Sequence, residues 1–445
     1  MELVWGAGMR ERIRTELLSR SPHEHGGAVF ARFDKTSPDP RVLALAYALP
    51  DDAEVDVTGR DVLRIDPSFW ARVVKQARQK NLSVLPIHTH PGERGQPQFS
   101  SADVAGERRL LPVLERQSGE PTGAVVVGDE TESVGVWISP NDRTTGLCRD
   151  VGSAPQRNQK QIRKLDPMFS RNVLAFGEEG QARLSSLRVG VVGASGTGSH
   201  IFEQLVRLGV GELVVIDSDH VEDVNLNRIV IASRWDARRK RRKAKVAARY
   251  AKRVSKSTKV IAVHGDVREP DIVRSVFEVD ALFSCTDSVS SRAVLNRLAI
   301  QRFIPLWDCG TEISTASINR LRAFANVRSV LPGSACLVCM DVIDPELLRI
   351  ELLPPDERKR EQDLGYIRGG GIPAPAVVSL NGIASSLAAM RFLEWAVGDP
   401  AQGSAQWVYR SFAGDVRQVS AQQNPDCPVC GVTGRLGRTE LDVRL

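Results

Sequence analysis

The 445-residue chain is predicted to be an α/β protein of two domains, and three features carry that expectation. Its length exceeds what one ordinary domain takes. From Leu187 onward, short apolar strands alternate with helical stretches, the pattern of a parallel, doubly wound sheet. A polar, aperiodic stretch at 146–165 separates that region from an N-terminal part in which strands and helices mix. The expected division is a first domain at 1–145, a linker at 146–165 and a second domain at 166–445.

Taken in order, Met9 to Leu18 has amphipathic spacing and reads as a helix, and GGAVFARF, LALAYAL and VDVTG read as strands. Pro67 to Lys80 has helical spacing with proline at the first helical position. The strand LSVLPI gives way to a polar loop from His88 to Ser100, and Ser100 to Leu114 reads as a helix with a capping start. GAVVVG and SVGVWIS complete the first domain. In the second, LRVGVVG is a buried strand, a helix runs from about Gly198 to Leu208, and ELVVID, VIAVHG, ALFSCTD and PLWDCG follow as strands.

Composition excludes some classes of function. Apolar residues make up 42% and charged residues 26%, a globular balance, and 60 basic against 54 acidic residues do not by themselves argue for nucleic acid. The most apolar late stretch, Ile372 to Val397, is broken by Asn381, Arg391 and Glu394, so no membrane span is expected. The opening MELVWGAGMRER carries charges inside any apolar signal core, which points to a cytoplasmic protein. In that compartment paired cysteines are more often metal ligands than disulfides.

His88-Thr-His90-Pro91 followed by Ser100-Ser-Ala-Asp103 can gather a catalytic zinc, which commonly takes three protein ligands and a water. Glu24, in His23-Glu24-His25-Gly26-Gly27, is the candidate base for that water; His23 and His25 are rival ligands. A solvated loop with a surface glutamate is the bland alternative. These residues resemble the JAMM/JAB metallopeptidases, whose pattern is an early Glu, then HxH, then SxxD. The resemblance covers about 10–140 and implies a JAB-type α/β domain, with His88, His90 and Asp103 on zinc, Glu24 as general acid/base and Ser100 stabilising the oxyanion. Nine residues separate His90 from Ser100, where the family has about seven.

Val192-Gly193-Ala-Ser195-Gly196-Thr-Gly198 follows a strand and opens a helix, where backbone and helix N-terminus can approach phosphate. Asp217 ends the next strand, at the distance where a carboxylate binds ribose. NAD and ATP both remain possible there. The polar set that follows favours ATP: Asp219, Asn225, Arg228, Lys245 and Asp287 suit a triphosphate and Mg²⁺ better than hydride transfer. Asp219 reads equally as a second acid or a helix cap.

Together with Phe169-Ser-Arg171-Asn and Gly180-Gln181-Ala-Arg-Leu184, these residues resemble the ubiquitin-activating family in its simple ThiF/MoeB form, over about 165–435. The resemblance implies a Rossmann-like fold and adenylation of a ubiquitin-like protein at its C-terminal glycine. It puts Asp217 on ribose, Asn225, Arg228 and Lys245 on phosphates, and Asp287 on Mg²⁺. Arg171 would reach the partner subunit's site, which implies a homodimer. A conjugating-enzyme-like partner is a further expectation. Fusions of this kind occur in bacterial ubiquitin-like systems, some tied to phage defence.

Cys336-Leu-Val-Cys339 and Cys427-Pro-Val-Cys430 can close a tetrahedral zinc site, and the ThiF/MoeB resemblance also implies structural zinc here; reduced thiols or redox disulfides are the alternatives. No cysteine lies from Met340 to Asp426, where many activating enzymes carry a thioester cysteine; Gly369-Gly370-Gly371 stands there instead. Cys148, Cys285 and Cys309 are isolated. The run Arg238 to Lys245 reads as a solvated helix start with Lys245 turned inward, or as a docking face for an acidic partner or nucleic acid. Sulfur-carrier activation for cofactor or cysteine biosynthesis, a non-catalytic binding scaffold and, remotely, a nicotinamide dehydrogenase are the competing functions.

Overall fold

The computed structural model describes all residues except 35, 37–39, 60, 61, 140, 156–165, 315–320, 365–374 and 441–445. The described residues form two compact units, one built from Met1–Gly152 together with 430–440 and one from Ser153–Val429.

The first unit runs β1 (Glu2–Trp5), α1 (Met9–Leu18), β2 (Gly26–Asp34), β3 (Arg41–Ala48), β4 (Val55–Thr58), β5 (Leu63–Ile65), α2 (Pro67–Lys80), β6 (Ser83–Thr89), α3 (Ser101–Ser118), β7 (Ala124–Val127), β8 (Glu132–Ser139) and β9 (Asp142–Asp150). Seven strands close a barrel in the order β1-β3-β2-β6-β7-β8-β9, and β4 pairs with β5 as a separate ribbon. Leu3, Trp5, Ile13, Val29, Leu85 and Val125 fill its core. The helix starts are set by their first residues: Asp66 accepts the Ser68 N–H before Pro67, and Ser100 and Asp103 form a reciprocal capping box on α3.

One expectation is corrected here. Residues 146–150, assigned to the linker, belong to β9, which pairs with β8 antiparallel and β1 parallel. Its side chains are polar and mostly half-exposed, so the backbone ladder specifies this strand and no apolar alternation announces it. Of the remainder of the expected linker, 151–155 form a turn and coil after β9, and 156–165 lie outside the described residues.

The second unit runs α4 (Ser170–Ser186), β10 (Arg188–Val192), α5 (Gly196–Leu208), β11 (Glu212–Ile216), α6 (Arg234–Arg238), α7 (Lys243–Val254), β12 (Lys259–Val263), α8 (Pro270–Val273), β13 (Ala281–Ser284), α9 (Val289–Arg302), β14 (Leu306–Ser314), β15 (Arg322–Val330), α10 (Pro345–Leu352), α11 (Pro355–Asp363), α12 (Val378–Val397), β16 (Ala405–Arg410) and β17 (Asp415–Ser420). The sheet order is β12-β11-β10-β13-β14-β15-β16-β17. β12 to β14 are parallel; β15, β16 and β17 extend the sheet as an antiparallel meander that the sequence reading did not foresee. Strand order reverses at β10, between β11 and β13, which opens a crevice at the carboxyl ends of β10 and β13. Phe283, Trp307, Phe392 and Trp395 stack beneath it with centroids 5.5–5.7 Å apart, locking α12 onto the sheet. Among the described residues, no helix is long and apolar enough to cross a membrane.

Candidate functional sites

In the first unit, His88 stands on β6 and His90 just beyond it, so the alternation of the strand puts both imidazoles on one side. Asp103 arrives from the first turn of α3. His88 Nε2 lies 3.2 Å from His90 Nε2 and 3.2 Å from Asp103 Oδ1, and His90 Nε2 lies 3.3 Å from Asp103 Oδ2. A tetrahedral ion with ligands at about 2.0–2.1 Å needs ligand atoms about 3.3 Å apart, so this donor set fits zinc. Among the described residues, His23 and His25 are not part of the cluster.

Hydrogen bonds from the imidazoles outweigh burial and hold the Asp103 carboxyl well below its ordinary range. The same contact with Asp103, helped by Glu93, pushes His90 up to about 9 against the effect of burial. Glu24 precedes β2. The neighbouring His25 donates its N–H to Thr89 Oγ1 (2.9 Å), between His88 and His90, and Gly26 pairs with His88 across the sheet. Glu24, His88, His90, Ser100 and Asp103 line one cavity of about 870 Å³. Ser100 Oγ accepts the Asp103 N–H (3.1 Å), which leaves its own proton to donate.

In the second unit a cavity of about 570 Å³ occupies the crevice. The glycine turn is its floor. Gly193 has φ +91°, and a Cβ at Gly198 would lie 1.8 Å from Gly193 O, so the turn admits no side chain there. The N-terminus of α5 opens onto the same space. Asp217 accepts the Ala194 N–H (2.7 Å) and the Asp219 N–H (2.8 Å); burial raises its pKa, partly offset by Lys243.

Gly193, Gly196, Asp217, Asp219, Asn225, Arg228 and Asp287 all line this cavity. Asp219 does not cap a helix: its carboxylate pairs with Lys243 Nζ at 2.8 Å. Arg228 donates to Val224 O (2.9 Å) and Asn227 Oδ1 (3.1 Å). Arg171 stands exposed on α4 and does not line this cavity.

Lys245 is corrected. It lies on the exposed side of α7, and the lysine that lines the cavity is Lys243, two residues earlier. Two residues turn a helix by about 200°, so both cannot face inward. Lys243, Ala247 and Ala251 are all buried at spacing i, i+4, i+8, and that stripe is visible in the sequence. The basic run is a helix start only at its end: residues 239–242 form the connection between α6 and α7, with Arg239 and Arg241 stacked on Trp235 at 4.7 and 4.0 Å, and α7 opens at Lys243.

Sequence reasoning missed Arg292 and Asn381. Arg292 reaches the cavity with its Nε donating to the fully buried Asp308 (3.0 Å), which also binds Arg328. No motif spacing signals these partners, which come from three different elements.

The thiols of Cys336, Cys339, Cys427 and Cys430 lie within 4.8 Å of one another. The Cys336 and Cys427 sulfurs are 3.8 Å apart, as about 2.3 Å Zn–S bonds in a tetrahedron require. Four cysteines so grouped fit a structural zinc. Gly369–Gly371, which stand where many activating enzymes carry a thioester cysteine, lie outside the described residues.

The model of the ThiF family matches residues 169–429, more than half of the chain. Residues 1–168 lie outside that match. The chain is 29% identical over 268 residues to the SAMP-activating enzyme E1 of Haloferax volcanii, covering 60% of this chain and 89% of that one. It is 26% identical over 269 residues to the molybdopterin-synthase adenylyltransferase of Escherichia coli, covering 59% and 95%. It is 27% identical over 175 residues to the sulfur carrier protein ThiS adenylyltransferase of Bacillus subtilis, covering 39% and 49%. With this match, the chain belongs to the ThiF family.

Proposed function

We propose that the chain is a two-site enzyme acting on a ubiquitin-like protein that ends in glycine. The second unit adenylylates the C-terminal carboxylate with ATP. The first unit is a JAMM/JAB-type zinc metallopeptidase that cleaves after that glycine, to mature a precursor or to remove conjugates. The convergence of the glycine turn, Asp217, Lys243 and Asp287 on one cavity carries the adenylation half, and relatives named as adenylyltransferases support it.

In this reading Asp217 binds ribose, while Asn225, Arg228 and Lys243 neutralise the phosphates. Asp287 would hold the Mg²⁺ that offsets triphosphate charge. A tail carboxylate oxygen attacks the α-phosphorus, and the bond to pyrophosphate breaks. Arg171 serves the partner subunit's cavity in a homodimer.

In the first unit, zinc held by His88, His90 and Asp103 would supply an acidified water. Glu24 takes a proton from that water and returns it to the leaving amine, and Ser100 donates to the developing oxyanion.

ATP–pyrophosphate exchange tests the first half: exchange is expected only in the presence of a glycine-tailed partner protein, and its absence with every candidate sinks adenylation. Cleavage of a fusion placed after that tail, lost on chelation and restored by zinc, tests the second.

Sulfur-carrier activation fits the same cavity. The ThiS-directed relative and the lack of cysteine from Met340 to Asp426 favour it. The mass of the tail separates the readings: sulfur transfer leaves a thiocarboxylate, conjugation a protein adduct.

A further inference from the structure

The loop from His90 to Ser100, longer than the JAMM pattern, is held at several points. The Gly92 N–H donates to Asp129 Oδ1 (3.0 Å), the Asp129 N–H donates to Glu93 O (2.9 Å), and the Thr131 hydroxyl donates to Gly95 O (2.5 Å). The loop lies so close to the β7–β8 turn that a Cβ at Gly128 would come within 2.8 Å of Glu93 O. The result is a carboxylate in a fixed place. Glu93 Oε2 sits 2.9 Å from His90 Nδ1, and its Oε1 accepts the Gln98 N–H (2.9 Å). The other ring nitrogen of His90 faces His88 and Asp103.

We propose that Glu93 is the positioning residue of the metal site: it accepts the His90 Nδ1 proton, so that Nε2 is the bare nitrogen presented to the ion. A carboxylate in this place fixes both the tautomer and the ring angle, and it makes the ligand nitrogen more basic. The two extra loop residues are then the means of delivering that carboxylate. This rests on the peptidase reading above.

Cobalt(II) titration of the full chain separates the two metal sites, because thiolate ligation gives intense charge-transfer bands that a histidine–aspartate site lacks. Glu93→Ala is expected to weaken cobalt binding at the histidine–aspartate site by about 10- to 100-fold, leaving the thiolate site unchanged. Glu93→Gln, which keeps an acceptor oxygen and the bond from Gln98, is expected to lose less. A Glu93→Ala protein that binds cobalt within twofold of wild type overturns the proposal, whatever its thermal stability. Wild-type protein that shows no histidine–aspartate site at all overturns the peptidase reading, and this inference with it.

Discussion

The two charged cavities are assembled on different plans. In the first unit two imidazole nitrogens and the two oxygens of the Asp103 carboxylate meet at 3.2–3.3 Å, supplied by one strand end and one helix start. In the second, the charged groups are spread round about 570 Å³ and come from many separate segments, each held by its own neighbour: Lys243 by Asp219, Arg292 by Asp308, Arg228 by the Val224 carbonyl. A single ion tolerates no missing ligand, whereas a polyanion is bound by a sum of partial contributions. Losses in the first unit should therefore be all-or-none, and losses in the second graded.

The sharpest way to break that contrast is Glu24→Gln. It is expected to reduce peptidase turnover by about 10³-fold while metal content and pyrophosphate exchange stay unchanged, as measured by metal analysis and both assays on one preparation. Next is the lysine pair. Lys243→Ala should slow exchange by about 10²-fold, and Lys245→Ala should leave it within twofold; equal effects would mean that the buried lysine is not the phosphate contact. Asp287→Asn should be milder still at saturating magnesium, about tenfold, with the magnesium requirement raised; an unchanged magnesium titration would remove it from the metal-binding role.

The smallest effect concerns stability. Asp150 is buried at the end of β9, and burial pushes its pKa up to about 6, although it accepts the Gly152 N–H. The folded state then holds a proton that the unfolded state has released between about pH 4 and 6, so stability falls as pH rises through that window, by about 2–3 kcal/mol. Asp150→Asn should flatten this slope in thermal melts of the full chain.

Motifs whose chemistry is local could be read from the sequence: the HxH and SxxD pair, the glycine turn with Asp217, and the two CxxC pairs. Each is set by spacing along one or two elements. What escaped depended on the third dimension. The polar strand β9 is specified by its two neighbours, and the strands β15–β17 by cross-strand partners as distant as Phe324 and Arg410. Arg292 and Asn381 reach the cavity only because α9 and α12 pack where they do. The inward position of Lys243 is legible in the sequence. The buried stripe of α7 includes position 243 and excludes 245, so helical phase outranked proximity to the motif.

Asp103 does two jobs through one carboxylate. Its Oδ2 accepts the Ser100 N–H at 2.6 Å, closing the start of α3, while the same group faces both imidazoles. In the proposed metal site, folding of the helix would therefore park this carboxylate before any ion arrives. Entropy that a flexible side chain would surrender on capture is already spent, which favours rapid loading over slow rearrangement. Replacing this aspartate would fray a helix and, in the proposed metal site, remove a ligand in one stroke, so the two losses could not be separated by mutation at that position alone.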